Sequence, residues 1–180
     1  MLMNILPTQN SMIAPEIILG VDPGFGRMGW GVIKQEKNNT WKALGWGCVE
    51  TPPKTELSDR LLVLRDELKK VIKKYKPASA SVEKLFFFNN AKTAMDVGQA
   101  RGVILLTMID AGLKIAEFTP LQVKQAMTGY GKAEKSQMQK MVAMILGLKE
   151  KIKSDDAADA LAVALCAGQC QKWNLLCGKK

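Results

Sequence analysis

Histidine is missing from this sequence altogether, and that absence removes a large part of enzyme chemistry. Ser-His-Asp triads, Cys-His nucleophiles, imidazole-ligated zinc and histidine general bases all need a ring that is not there. Any catalysis has to rest on carboxylates, lysines or metal ions. Cysteine is scarce: the four residues at 48, 166, 170 and 177 lack the two close pairs of a zinc site. Cys166 and Cys170 stand four apart on an expected helix and read as small packing residues rather than ligands. No basic stretch precedes an apolar core at the start of the chain, so no secretory signal is expected, and free thiols in a reducing cytoplasm follow. Long apolar runs are lacking too. The longest, near 103–106 and 141–148, fall far short of the roughly 20 residues that cross a bilayer, so no membrane span is expected.

Acidic residues are also in deficit, with 17 Asp and Glu against 26 Lys and Arg, for a net charge of +9. A small domain this basic attracts polyanions, whose phosphates supply most non-specific affinity. A merely solubilising surface is the plainer alternative; nucleic acid is the favoured one. At 180 residues and 47% hydrophobic, the chain suits one globular domain with a full core. Residues 1–16 read as an appended tail, with Met3 and Met12 as conceivable later starts; 17–173 read as the domain and 174–180 as a C-terminal tail.

Within the domain, 17–22 is an apolar strand that stops at Asp-Pro-Gly, a turn signal. Strands at 28–35 and 41–50, separated by a polar turn at 36–40, complete a meander. From Leu57 the period changes. Leu57, Leu61, Leu64, Leu68 and Tyr75 recur at helical steps until Pro77 ends the helix, and the KKVIKKYK run at 69–76 is that helix's wet face. A short strand at 78–85 carries Glu83, and Asn90 can cap a helix reaching about Ala111. Its later half, GVILLTMI, is apolar nearly all round, so it is either buried on both sides or shared with another subunit. A strand at 114–118, a short helix at 120–127, a Gly-rich break at 128–131, a helix striped by Met138, Met141, Val142, Ile145 and Leu148, and a last helix from Ser154 follow. The order predicts an α/β three-layer domain.

Four acidic residues need explaining on that frame. Asp22 ends the first strand, at the rim where sites in α/β folds open, and a turn-capping aspartate is the competing account. Glu83 ends a strand on which Ala80 and Val82 point one way and Ser81 and Glu83 the other. If that strand is central and covered on both sides, a buried glutamate needs a partner or a metal; otherwise it faces water. Asp156 and Asp159, three apart in DDAADALAVAL, share one side of a helix. They could serve only the helix dipole with Ser154 as cap, but the small alanines between them leave the carboxylate face uncrowded, and Asp155 suits dipole decoration better. Together the four resemble a magnesium site, built from oxygen ligands. A two-ion site of that kind hydrolyses phosphodiesters without histidine.

The segments IILGVDPGFGRMGWGVI, SVEKLFFFNNAKTAMDVGQARGV and FTPLQVKQAMTGYGKAEKSQMQKMV, with DAADALA after them, resemble the RuvC resolvase family from about Ile17 to about Cys170. The resemblance implies an RNase H-like fold, a mixed five-stranded sheet flanked by helices. It matches Asp22, Glu83, Asp156 and Asp159 to the family's metal-binding catalytic carboxylates, which use two Mg2+ ions, with Mn2+ a conceivable substitute. Some relatives carry histidine where Asp156 stands; either residue can serve the metal or the attacking water. The resemblance further implies paired nicks in four-way DNA junctions leaving 5′-phosphate ends, a homodimer, and a branch-migration helicase complex of the RuvA/RuvB type as partner; the apolar 90–111 helix is the candidate dimer interface, with burial inside one subunit as the alternative.

Among candidate DNA contacts, Lys124 and Lys135 match family lysines near the scissile phosphates, and Phe86, first of three consecutive phenylalanines, matches a residue that stacks on unpaired bases at the crossover. Lys132 and Lys140 are either DNA contacts or solvated helix lysines, and Arg101 of GQARG is either structural or phosphate-facing. Two readings compete with the resolvase: an RNase H-like nuclease on structured RNA, and a module that binds junctions without cutting them. The GKAEKSQ and VEKLF segments stand against the first, and retention of all four carboxylates against the second.

Overall fold

The computed structural model describes residues 16–84 and 91–176. The expected elements appear in the expected order. They are β1 Ile17–Asp22, β2 Arg27–Gln35, β3 Trp41–Glu50, α1 Leu57–Tyr75, β4 Ser79–Glu83, α2 Ala91–Asp110, β5 Lys114–Phe118, α3 Pro120–Thr128, α4 Lys135–Ile145 and α5 Asp155–Leu176. Helix α5 runs on past residue 173, where the domain was expected to end. The proposed N-terminal tail up to residue 15, Phe86 to Phe88, the Asn90 cap and Cys177 lie outside the described residues.

The five strands form one mixed sheet in the order β3-β2-β1-β4-β5. β1, β2 and β3 make the antiparallel meander, while β1 pairs parallel with β4 and β4 parallel with β5. The strands of one hairpin can be joined directly, whereas parallel neighbours need a crossover, here supplied by α1 and α2. Helix boundaries follow local chemistry. Lys76 takes the left-handed conformation (φ 48°) at the end of α1 ahead of Pro77, and α3 starts with Pro120 inside a capping box of Thr119 and Gln122.

The two faces of the sheet are covered differently. Leu19, Val21, Val32, Ala80 and Val82 pack against Leu64 and Leu68 of α1 and Ala100, Ile104 and Met108 of α2. On the other face Ile18, Ile33 and Trp41 meet α5, with α3 and α4 packed alongside through Val123, Met127, Met138 and Val142. α5 lies almost flush on β1 and β2. A methyl group on Gly20 would collide with the backbone oxygen of Ala160, and one on Gly29 with that of Asp156. Alanines at 157, 160 and 164, all fully buried, supply the matching low relief on the helix.

The helix expected to be either doubly buried or shared is buried on one face and exposed on the other. Ala100, Ile104 and Met108 of α2 are wholly buried, whereas Leu106 and Ile109 are 58% and 59% exposed. Among the described residues no helix is long and apolar enough to cross a membrane.

Candidate active site

Parallel pairing brings the first two acids together. In the β1–β4 register Val21 lies opposite Val82, so Asp22 and Glu83, the next residues on each strand, leave the same edge of the sheet side by side. Period-two alternation settles which face they use. Gly20 is covered by α5, and the Ser81 hydroxyl donates to the Val163 carbonyl of α5 (3.1 Å), so Asp22 and Glu83, two residues further on, also face α5. This covered central strand is the condition under which Glu83 was expected to be more than a wet surface residue.

α5 brings the other two. It starts at Asp155, with the Ser154 hydroxyl accepting from the Ala157 amide (3.3 Å). Its first turns lie over the ends of β1 and β2, because Gly29 lets the backbone of Asp156 rest directly on the sheet. Asp22 is thereby surrounded by acids. Burial first, then the charges of Glu83, Asp159 and Asp156, push its carboxyl up to about 7, with Lys135 opposing. Glu83 is likewise raised to about 7, by burial and then Asp159, against the pull of Lys124 and Lys135. Burial also lifts Asp159 above its ordinary range, again opposed by Lys135. Asp22 therefore feels the other three acids, though among the described residues no three His, Cys, Asp or Glu side chains are already drawn into ion-holding geometry.

Cations hold the two helix acids. Lys135, at the start of α4, reaches Asp155 at 3.2 Å and Asp159 at 3.5 Å. Partial burial works against its charge, but Asp159 and Asp155 keep it above the usual lysine range. Arg27 reaches Asp156 (Nε to Oδ2, 3.3 Å) and Glu50 (3.0 Å), and the Cys48 thiol lies 3.5 Å from the same Oδ2. Beside the acids opens a cavity of about 200 Å³ lined by Glu83, Asp159, Lys124, Lys135, Pro120, Val123, Met138 and Val163.

Of the candidate DNA contacts, Lys124 and Lys135 therefore stand at the acids. Lys132 is exposed on the loop before α4. Lys140 lines a separate groove of about 390 Å³ with Lys149, Lys151, Ser136 and Gln139. Arg101 is drawn into an ion pair with Glu117 of β5, the structural alternative left open for it, and its buried Nε has no hydrogen-bond partner. Asp155 stands in the first turn of α5, as expected of an acid serving the helix dipole, and also binds the side chains of Lys135 and Gln139. Nothing local in the sequence marks Arg27 or Cys48 as neighbours of the acids. Only the hairpin register, which sets Arg27 opposite Glu50 and Gly29 opposite Cys48, brings them to Asp156. Cys48, Cys166 and Cys170 are free thiols, and burial, with Cys170 nearby, pushes Cys166 up to about 12.

A sheet of this order with acids at the ends of adjacent parallel strands and on the last helix defines an RNase H-like fold of the resolvase type. The family described as crossover junction endodeoxyribonuclease RuvC matches residues 18–167, and the chain belongs to that family. The crossover junction endodeoxyribonuclease RuvC of Halothermothrix orenii is 49% identical over 164 residues, 91% of this chain and 99% of that one. The structure of Thermus thermophilus RuvC is similar with a TM-score of 0.79 at 33% identity, over 87% of this chain and 96% of that one. T. thermophilus RuvC in complex with Holliday junction substrate is similar with a TM-score of 0.78 at 31% identity, with the same coverage of 87% and 96%.

Proposed function

We propose that this chain is a Holliday junction resolvase, an endodeoxyribonuclease that makes paired, symmetric nicks in four-way DNA during recombination and repair. The observation that carries the reading is the gathering of Asp22, Glu83, Asp156 and Asp159 at one sheet edge, with Lys124 and Lys135 beside them, in a member of the RuvC family.

The donor set fits a hard divalent cation. All four groups offer carboxylate oxygen, as magnesium prefers, and burial followed by crowding among the acids raises Asp22 and Glu83 to about 7. Asp22, Glu83, Asp156 and Asp159 are the residues that would hold two Mg2+ ions, with Mn2+ as a substitute. When bound, such ions lower the pKa of a water nucleophile and stabilise the leaving oxygen of an in-line displacement. The protein's own part is positional. Flush packing at Gly29 fixes the Asp156 backbone against β2. Lys124 and Lys135 present cationic charge where a phosphate entering the cavity gathers negative charge. Lys132, exposed on the loop before α4, and Lys140, beside a separate groove, are further proposed DNA contacts, as is Phe86, which lies outside the described residues, and the hydrolysis leaves 5′-phosphate ends.

A homodimer completes the reading, since a junction with approximate two-fold symmetry is served by one site from each of two identical subunits. The bare Leu106 and Ile109 on α2, with Leu62 and Val63 on α1, are the surface for it. Family membership supports a RuvA/RuvB-type branch-migration complex as the proposed partner and the cytoplasm as the proposed location.

The test is cleavage of a synthetic four-way junction with and without magnesium. Wild-type protein is expected to nick two opposed strands only with the ion, and Asp156→Asn to bind the junction without cutting it. Normal cutting by that variant would remove Asp156 from the site. Junction binding by wild-type protein without any nicking would favour a binding module, and cutting confined to structured RNA would favour the RNA nuclease.

A further inference from the structure

We propose that Arg27 is a resident cation of the acidic site, sharing Asp156 with divalent ions and so setting how tightly the site takes them. The inference rests on the metal-site reading above. Arg27 opens β2 two residues before Gly29, so alternation puts it on the same α5-facing side of the strand. Gly29 carries the Asp156 backbone, and Arg27 carries its side chain, Nε standing 3.3 Å from Oδ2. The other arm of the guanidinium is tied to Glu50, its cross-strand partner, at 3.0 Å. The planar fork thus bridges two carboxylates, a geometry that suits arginine and not lysine. The Cys48 thiol, 3.5 Å from the same Oδ2, adds a second donor to that oxygen.

This arrangement has an electrostatic consequence. A divalent ion that uses Asp156 meets a carboxylate whose charge is already partly answered by a fixed positive neighbour. At the opposite end of the cluster Lys135 does the same for Asp159. Both helix acids are therefore discounted before any ion arrives, and the site draws divalent cations weakly until phosphate oxygens add negative charge. Arg27 on this view is a positioning residue that couples ion loading to the arrival of DNA.

The effect is modest, because the Arg27 side chain is 58% exposed and solvent screens it. One unit charge several ångströms from a divalent ion in a water-like medium alters affinity by roughly three- to ten-fold.

The experiment titrates Mn2+ into DNA-free protein at low ionic strength and follows free ion by electron paramagnetic resonance. Arg27→Gln is expected to bind Mn2+ three- to ten-fold more tightly than wild type. Glu50→Gln, which leaves Asp156 as the sole carboxylate for the guanidinium, is expected to shift affinity the other way. Unchanged or weaker Mn2+ binding in Arg27→Gln overturns the inference, as does a Glu50→Gln protein indistinguishable from wild type, because a bracing role alone predicts those results. In either case wild-type Mn2+ binding survives and so does the metal-site reading. Failure of wild-type protein to take up Mn2+ with or without junction DNA overturns both.

Discussion

The two faces of one five-stranded sheet are built to opposite specifications. The face under α1 and α2 is filled with large aliphatic side chains, Leu19, Val21 and Val32 meeting Leu64, Leu68, Ile104 and Met108. The face under α5 is thin toward the acidic edge, Gly20 meeting Ala160 and Ala164 and Gly29 the backbone of Asp156. Bulk on the first face removes apolar area from water and stabilises the fold. Thinness on the second holds the start of a helix close enough to two strand ends for Asp22 to feel Glu83, Asp156 and Asp159. Stability and chemistry are thus separated across a single layer of backbone, and each face should answer to a different kind of damage.

Neutralising one acid should break the chemical face most severely. Asp22→Asn is expected to lower single-turnover nicking on the order of a thousand-fold or more, as losing one member of a catalytic constellation does, while junction affinity, read by gel shift, persists. The converse damage is Leu68→Ala, which should cost about 2–5 kcal/mol in a urea melt and leave the nicking rate per folded molecule close to wild type. If that substitution slowed chemistry as strongly as Asp22→Asn, the division between the faces would be wrong.

Gly29→Ala tests the thin face without touching an acid. The added methyl meets the Asp156 carbonyl, so a loss of about 1–3 kcal/mol from overpacking is expected. It should come with a ten- to hundred-fold fall in nicking of the kind seen when supporting groups around a metal site are altered. A fall in stability with full activity would mean that flush packing is not what positions Asp156.

The smallest effect is a pH dependence. Asp22 and Glu83 are raised from 3.8 and 4.5 to about 7 in the folded protein. Between those limits the folded state holds protons that the unfolded state has released, so their contribution to stability is full below about pH 4 and is lost as pH rises through 7. Asp22→Asn should therefore melt higher than wild type at pH 8 and lose that advantage toward pH 4. Magnesium should stabilise wild type more at pH 8 than at pH 5, because protons compete for the same oxygens. Melting curves across that range, with and without the ion, check both statements.

Much of this organisation was legible from the chain. Period-two and period-3.6 patterning delimited the strands and helices because burial demands those repeats, and Asp-Pro-Gly, Pro77 and the alanine-rich last helix marked where they stop or start. The four acids stood out because a strand rim, a strand expected to be covered and an uncrowded helix face are places where a carboxylate needs explaining, although each also had an ordinary reading. Arg27 and Cys48 did not stand out, because nothing local distinguishes a surface arginine or a lone thiol. They meet Asp156, more than a hundred residues away along the chain, only through hairpin register and helix docking. Arg101 and Asp155 drew their ion-pair partners for the same reason.

What the amino-acid order determined by itself was local: which segments alternate, which wind, and which carry acid at their ends, since those properties depend on neighbours within a few residues. Only the folded chain decided how those ends meet. Parallel pairing of β1 with β4 set Asp22 beside Glu83, and two glycines let α5 descend onto them. Charge and burial act through space rather than along the backbone, so the partner of each ionisable group became definite only when the sheet and its last helix closed together.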